Sequence, residues 1–118
     1  MYQLIKKFEC GVIKFKIPYF EDLRGNFSKL YNYNELKNIG IDFKPKEHFL
    51  STSNKDVLRG LHFQVNHGSH NKIINCINGS ILDICVDVRK DSKFYNQPIS
   101  FKIDKSSNEA IFIPKGFA

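Results

Sequence analysis

Short runs in which apolar and polar residues alternate, each bounded by glycine, proline or asparagine, recur along most of the chain. A period of two residues places successive side chains on opposite faces, which is the pattern of a half-buried β-strand. The clearest run spans residues 11–17, alternates apolar with basic side chains and stops at Pro18. The other predicted strands are 49–53, 57–64, 72–77, 80–88, 99–103 and 110–113. Short strands separated by turn residues predict an all-β sandwich or barrel.

Two local signals refine this prediction. Asn78-Gly79 is a dipeptide that favours a tight two-residue turn, so we expect a β-hairpin between the strands that flank it. Residues 34–39 are the one predicted helix, with Asn34 as its N-cap and Gly40 ending it. The sequence therefore indicates a β fold with a single short helix.

Length and charge restrict the classes of function. The 118 residues suit one domain, 1–118, whose modest core would benefit from a second subunit, so we expect a homodimer with strand 11–17 as an edge that needs covering. The formal net charge of +6 suits a phosphate-bearing ligand, but the lysines form no stripe with interleaved aromatic residues. We therefore expect no binding to nucleic acid.

Targeting and cysteine signals favour a cytoplasmic location. No apolar run approaches the roughly 20 residues of a membrane span, and residues 1–10 lack the apolar stretch of a signal peptide. The three cysteines, Cys10, Cys76 and Cys85, have no CxxC spacing, and two of them lie in apolar runs. They are predicted to be reduced thiols that bind no zinc and form no disulfide.

Three charged or titratable side chains are close in sequence. Arg59 could hold an anion, His62 could act as a base near neutral pH, and Lys72 could stabilise a negative oxygen. Arg59 and His62 would lie on opposite faces of a regular strand unless Gly60 forms a bulge. The alternative is that all three are ordinary surface charges near a turn.

Other candidates are the carboxylates Asp83 and Asp87, which share one face of a predicted strand whose other face is apolar. They could be solvated or could orient Lys72 or His62. His67 and His70 would need further ligands to hold a metal, because no HxH pair occurs. No GxSxG element indicates a serine nucleophile.

Five segments occur in a characteristic order: FEDLRGNF at 20–27, VLRGLHFQ at 57–64, Lys72, GSILDICVDVR at 79–89 followed by Ser92, and IPKGFA at 113–118. From about residue 11 onward the chain resembles the dTDP-4-dehydrorhamnose 3,5-epimerase family of cupin-like jelly rolls. The resemblance implies inversion of C3, C5 or both in a nucleotide-linked 4-keto-6-deoxyhexose, on the way to rhamnose and related surface sugars. It implies no metal and no redox cofactor, because the ketone already acidifies the neighbouring protons.

Roles follow by resemblance alone. His62 would be the base, Lys72 the stabiliser of the enolate, and Asp83 a carboxylate that supports the lysine. The substrate, a nucleoside diphosphate sugar, would be bound by Arg24 and Arg59, with Phe20, Phe27 and Gln64 lining the site.

Two departures from the family pattern stand out. The family usually continues the last segment as GFAHGF and supplies a tyrosine acid and an aspartate further on, whereas this chain stops at Ala118. We therefore expect a domain that lacks its C-terminal part and is weak or inactive as an epimerase. Glu47 and Phe49 stand where the family commonly has glutamine and asparagine in the substrate site, so the nucleotide and the sugar stay open.

Three alternatives stay open at this point. A 3,4-ketoisomerase is a related cupin, although that group tends to carry two neighbouring histidines where this chain has His62-Phe63-Gln64. A non-catalytic module that binds nucleotide sugars is the second. A metal cupin such as a dioxygenase is the third.

Overall fold

The computed structural model describes all 118 residues, which form eight β-strands and one α-helix. The elements are β1 Gln3–Lys7, β2 Ile13–Lys16, β3 Tyr19–Asp22, β4 Gly25–Ser28, α1 Tyr33–Asn38, β5 Lys72–Asn75, β6 Ser80–Val86, β7 Pro98–Asp104 and β8 Glu109–Ile113. Two single turns of 3₁₀ helix, Asn66–Gly68 and Lys105–Ser107, complete it. The predicted all-β class with one short helix is confirmed, and no helix has the length and hydropathy of a membrane span.

The largest sheet has four antiparallel strands in the order β1-β2-β8-β5. Strands β3 and β4 form a separate hairpin, and β6 and β7 form a third, two-stranded sheet. Strand β2 therefore lies inside the large sheet, between β1 and β8, and the expectation that residues 11–17 form an exposed edge is wrong. The edge strand on that side is β1. Its sequence, with lysines next to Leu4 and Ile5, shows no clear alternation, so no strand was predicted there.

The core lies on both faces of β8. Ala110 and Phe112 face a cluster completed by residues of β2, α1 and the following loop. Ile111 and Ile113 face the opposite cluster, which includes Phe101 of β7. A strand covered on both sides is apolar at consecutive positions, and this is why residues 110–113 read as one continuous apolar run.

The predicted strands 49–53 and 57–64 are wrong. Residues 43–64 contain no regular secondary structure, and none of their backbone groups hydrogen-bonds to another backbone group. Their apolar side chains are largely exposed, Leu58 at 89% and Phe49 at 78%. Alternation of apolar and polar residues is not enough to form a strand, because a strand also needs a neighbouring strand to pair with. Since no strand forms at 57–64, Gly60 is not a β-bulge.

The predicted Asn78-Gly79 hairpin is also wrong. The strands on either side of this dipeptide do not pair with each other, because β5 pairs with β8 and β6 pairs with β7. The dipeptide instead forms a bend that carries the chain from the large sheet to the β6–β7 sheet.

The predicted helix exists, but its start lies earlier than expected. Its N-cap is Asn32 rather than Asn34, and the Asn32 side chain accepts a hydrogen bond from the Glu35 N–H at 3.0 Å. Either asparagine satisfies the sequence rule, and the position of Glu35 three residues after Asn32 completes the capping pattern. Gly40 follows the C-cap Ile39, as predicted.

Candidate active site

Lys72 and Asp83 come from two different sheets and interact through their charges. Lys72 is the half-buried first residue of β5, and β6 places Asp83 on its inner face. Burial raises the pKa of the Asp83 carboxyl above its ordinary value, and the positive charge of Lys72 opposes that rise. The Oδ2 atom of Asp83 is buried and has no hydrogen-bond partner. The two side chains therefore interact through their charges, without a hydrogen bond or a direct ion pair between them.

The inner face of β6 carries carboxylates. Asp83 and Asp87 share that face, as predicted, and Leu82 is 67% and Ile84 42% exposed on the other. Of the two alternatives left open by the sequence, solvation of the carboxylates is therefore excluded for Asp87, which is 1% exposed. Hydrophobic pattern alone could not reveal that Asp87 has internal partners.

Those partners explain why Asp87 is buried. Its carboxylate accepts hydrogen bonds from Nε and Nη2 of Arg89, at 2.9 and 2.7 Å, and from the Ser92 hydroxyl at 2.7 Å. These bonds, above all those from the Arg89 side chain, lower the pKa of Asp87 to about 2. The Arg89 guanidinium also lies over the ring of Phe117, 5.1 Å from its centre. Asp87 is thus part of a structural network that ties β6 to the last residues of the chain, and it orients neither His62 nor Lys72.

His62 is exposed and makes no side-chain hydrogen bond or ion pair. Gly60, two residues earlier, has a φ of +95°, and a Cβ there would lie 3.1 Å from Nδ1 of His62. Glycine therefore leaves room for the imidazole beside the backbone. Neither ring nitrogen has a hydrogen-bond partner within the chain.

The three arginines of the chain differ in how their charge is balanced. Arg24 grips Asp22 through Nε and Nη2, with the shortest contact at 2.7 Å, and Arg89 grips Asp87 in the same way. Arg59 contacts no carboxylate; its Nε donates to the Ser53 hydroxyl at 2.8 Å and its Nη2 to the Thr52 carbonyl at 3.1 Å. The predicted anion-binding role of Arg24 therefore meets a guanidinium already paired within its own hairpin, whereas Arg59 keeps an uncompensated charge.

The hairpin β3–β4 presents two aromatic rings to solvent. Phe20 and Phe27 are direct register partners, and their rings stack with centres 6.0 Å apart. They are 55% and 59% exposed, so one ring face is accessible to a planar ligand. Gly25, where the turn between the two strands meets β4, has a φ of +121°.

The remaining predicted residues lie along the irregular segment. The Gln64 side chain packs over Gly68, where a Cβ would lie 2.9 Å from its Oε1. Glu47 is exposed and forms no ion pair, and His70 Nδ1 lies 2.7 Å from the Gly68 carbonyl oxygen.

No group of three or more histidine, cysteine or acidic side chains is arranged to hold a metal ion. Cys10, Cys76 and Cys85 are free cysteines, of which Cys10 and Cys85 are buried.

Comparison with known proteins identifies the family. The sequence model of the dTDP-4-dehydrorhamnose 3,5-epimerases matches residues 9–118. The chain is 36% identical over 102 residues to the enzyme of that name from Salmonella typhimurium, covering 84% of this chain and 55% of that protein. A relative from Methanothermobacter thermautotrophicus is 32% identical over 117 residues, covering 99% of this chain and 63% of its own length. The chain thus spans between about half and two thirds of these relatives.

A solved structure agrees with the sequence match. The dTDP-4-dehydrorhamnose 3,5-epimerase of Bacillus anthracis, with TDP and PPi bound, superposes with a TM-score of 0.93 at 29% identity, covering 100% of this chain and 68% of that one. The β architecture described above is therefore the cupin-like fold of these enzymes. The chain belongs to the dTDP-4-dehydrorhamnose 3,5-epimerase family.

Proposed function

We propose that the chain is a nucleotide-sugar epimerase that inverts C3, C5 or both in a 4-keto-6-deoxyhexose attached to a nucleoside diphosphate. The 4-keto group acidifies the protons on both neighbouring carbons, so removal of one proton gives an enolate. Return of a proton from water to the opposite face of the planar carbon inverts it. In this proposal His62 removes the proton and Lys72 stabilises the enolate oxygen.

The observation that carries the proposal is the half-buried Lys72 whose charge acts on the buried carboxyl of Asp83. A developing enolate needs a fixed positive charge in a partly desolvated site, where it acts more strongly than in water. The half-buried ammonium of Lys72 meets that need, and the buried carboxylate of Asp83 lies within range of its charge. In this proposal Asp83 contacts the lysine and not the sugar.

The binding residues follow from charge and shape. The uncompensated guanidinium of Arg59 suits the diphosphate, and the exposed faces of Phe20 and Phe27 suit a planar base. Arg24 would join the site by exchanging Asp22 for a phosphate. Gln64 and Glu47 would contact the sugar or the base, and a carboxylate at 47 favours a ligand group that donates hydrogen bonds.

Proton exchange tests the proposal directly. dTDP-4-keto-6-deoxyglucose is incubated with the chain in deuterated water and followed by NMR. Because the chain is expected to be weak as an epimerase, we expect only slow deuterium incorporation at C3 or C5 with the native chain. We expect none with His62→Ala, and native behaviour with His67→Ala, which removes another exposed imidazole. Equal exchange with and without His62 would refute its role as the base, and a ketone appearing at C3 would indicate a ketoisomerase instead.

A second candidate is a module that binds the nucleotide sugar without turning it over. The observation that favours it is that His62 has no hydrogen-bond partner to fix its tautomer or its orientation. Calorimetry separates the two candidates, because heat of binding without any deuterium incorporation would support binding alone.

The assembly and location expected from the sequence also belong to this proposal. We propose that residues 1–118 act as one domain and pair as a homodimer through β1, whose exposed Leu4 and Ile5 lie at an open edge. Light scattering tests the dimer, and a monomeric mass at micromolar concentration would contradict it. Cell fractionation tests the cytoplasmic location.

A further inference from the structure

The guanidinium of Arg59 has two edges, and the chain itself occupies only one. Nε and the adjacent N–H of Nη2 point the same way and form the side-on pair of donors. Both are used by neutral oxygens, the Ser53 hydroxyl at 2.8 Å and the Thr52 carbonyl at 3.1 Å. The end-on pair, one N–H from each terminal nitrogen, has no acceptor within the chain.

A tight turn brings these groups together. Lys55 and Asp56 form the turn, and Asp56 has a φ of +64°, a conformation that aspartate tolerates better than most residues. The chain therefore folds back so that Thr52 and Ser53 contact Arg59, which lies seven and six positions later, respectively. No ladder of backbone hydrogen bonds holds this loop, so the grip on Arg59 is a principal polar contact within it.

The other two arginines provide an internal comparison. Arg24 and Arg89 use the same side-on pair, but each grips an aspartate two residues earlier in the sequence. Their charge is therefore balanced by the chain. Arg59 has Val57 at that position and neutral oxygens on its side-on edge, so it is oriented while its full positive charge is kept.

We propose that Ser53 is a positioning residue, which with the Thr52 carbonyl aims the end-on donors of Arg59 at the diphosphate of a nucleoside diphosphate ligand. This inference rests on the proposed function and deepens it. A guanidinium held at two points loses less rotational freedom when it binds an oxyanion than a free one does. Ser53 acts on the ligand only through Arg59.

Calorimetric titration of the native chain and three variants tests the inference, with dTDP and thymidine as the probes. Ser53→Ala should weaken dTDP binding about fivefold, since one hydrogen bond is lost, and leave thymidine binding unchanged. Ser53→Thr keeps the hydroxyl and should restore the native affinity. Ser51→Ala, an exposed serine without a side-chain hydrogen bond, is the matched control and should behave as native.

The outcomes separate the inference from the function on which it rests. Native dTDP affinity in Ser53→Ala, together with loss of binding in Arg59→Ala, would overturn the role of Ser53 and leave the proposed ligand intact. Equal weakening of dTDP and thymidine would also overturn it, because a general disturbance of the loop moves both. Failure of the native chain to bind dTDP would overturn both the inference and the proposed ligand.

Discussion

The aliphatic stem of Arg89 lies directly on Gly116, so close that a Cβ at position 116 would stand 2.6 Å from Cγ of Arg89. Gly116 also has a φ of +92°, a conformation that L side chains rarely adopt. The contact joins the segment after β6 to the last residues of the chain, and Arg89 is held from its other side by Asp87. The packing of the two segments depends on the absence of a side chain at 116.

Gly116→Ala should therefore lower the free energy of unfolding by about 2–4 kcal/mol, because backbone strain and overpacking add. Gly79→Ala is the matched control, since Gly79 also has a positive φ, +74°, but no atom lies within 4 Å of its added Cβ. Only the strain, about 1 kcal/mol, should be felt there. Urea unfolding measures both, and equal losses would show that the Arg89 contact is unimportant.

The network of Asp87 predicts an acid-sensitive stability. Arg89 lowers the pKa of Asp87 from 3.8 to about 2, so the folded state holds the charged form more strongly than the unfolded state does. The stabilisation, about 2 kcal/mol, is complete above pH 4 and disappears as the pH falls towards 2. Unfolding of Asp87→Asn should show a smaller loss over that interval. Asp22→Asn, which removes an exposed pair, should follow the native pH profile.

Asp83 is predicted to have the opposite effect on stability. Its pKa is raised by burial, so the folded state binds a proton more strongly than the unfolded state, and stability falls as the pH rises through the folded value. Asp83→Asn removes a desolvated charge and should raise the melting temperature at pH 7 while slowing deuterium incorporation. Asp91→Asn, at an exposed position, is the control for both measurements. A less stable Asp83→Asn would mean that the charge of Lys72 outweighs the cost of burial.

Gly60 is predicted to control His62 locally. Alanine at this φ of +95° is strained, and its Cβ would lie 3.1 Å from Nδ1 of His62. Gly60→Ala should move the imidazole proton resonances of His62 and reduce proton exchange on the substrate. Because residues 43–64 have no backbone hydrogen bonds to other backbone groups, the melting temperature should change little. Unchanged His62 resonances would contradict this.

Hydrogen exchange should divide the chain in two. Amides in the irregular segment 43–64 have only water as a partner and should exchange quickly, whereas those of β8 are held between two strands and should be strongly protected. Mass spectrometry after brief labelling measures both. Protection of residues 43–64 comparable with that of β8 would refute the described segment.

Secondary structure was predictable from the sequence where residues close in sequence determine it. The existence of the short helix, predicted at 34–39 and found at Tyr33–Asn38, and of strands β2, β6, β7 and β8 follows from their periodicity and turn residues. Pairing was not predictable, because partners distant in sequence decide it. Residues 57–64 have the right alternation but no partner strand. Asp87, just after β6, points inward because Arg89 and Ser92 donate hydrogen bonds to its carboxylate.

The candidate site shows the same division. The residue types at 59, 62 and 72 indicated an anion holder, a base and a cation, whereas Ser53 emerged only from the geometry. A serine six positions before an arginine carries no signal of its own. The turn at Asp56 that joins them could be recognised only once its φ was known.

In the proposed function, Arg59 and His62 lie on a segment without a backbone ladder, so ligand choice is separated from folding stability. Residues 47–64 belong to neither of the two apolar clusters on β8. A library confined to this stretch should therefore leave the frame that holds Lys72 intact. Under that proposal, nucleotide or sugar specificity and thermal stability could be varied independently.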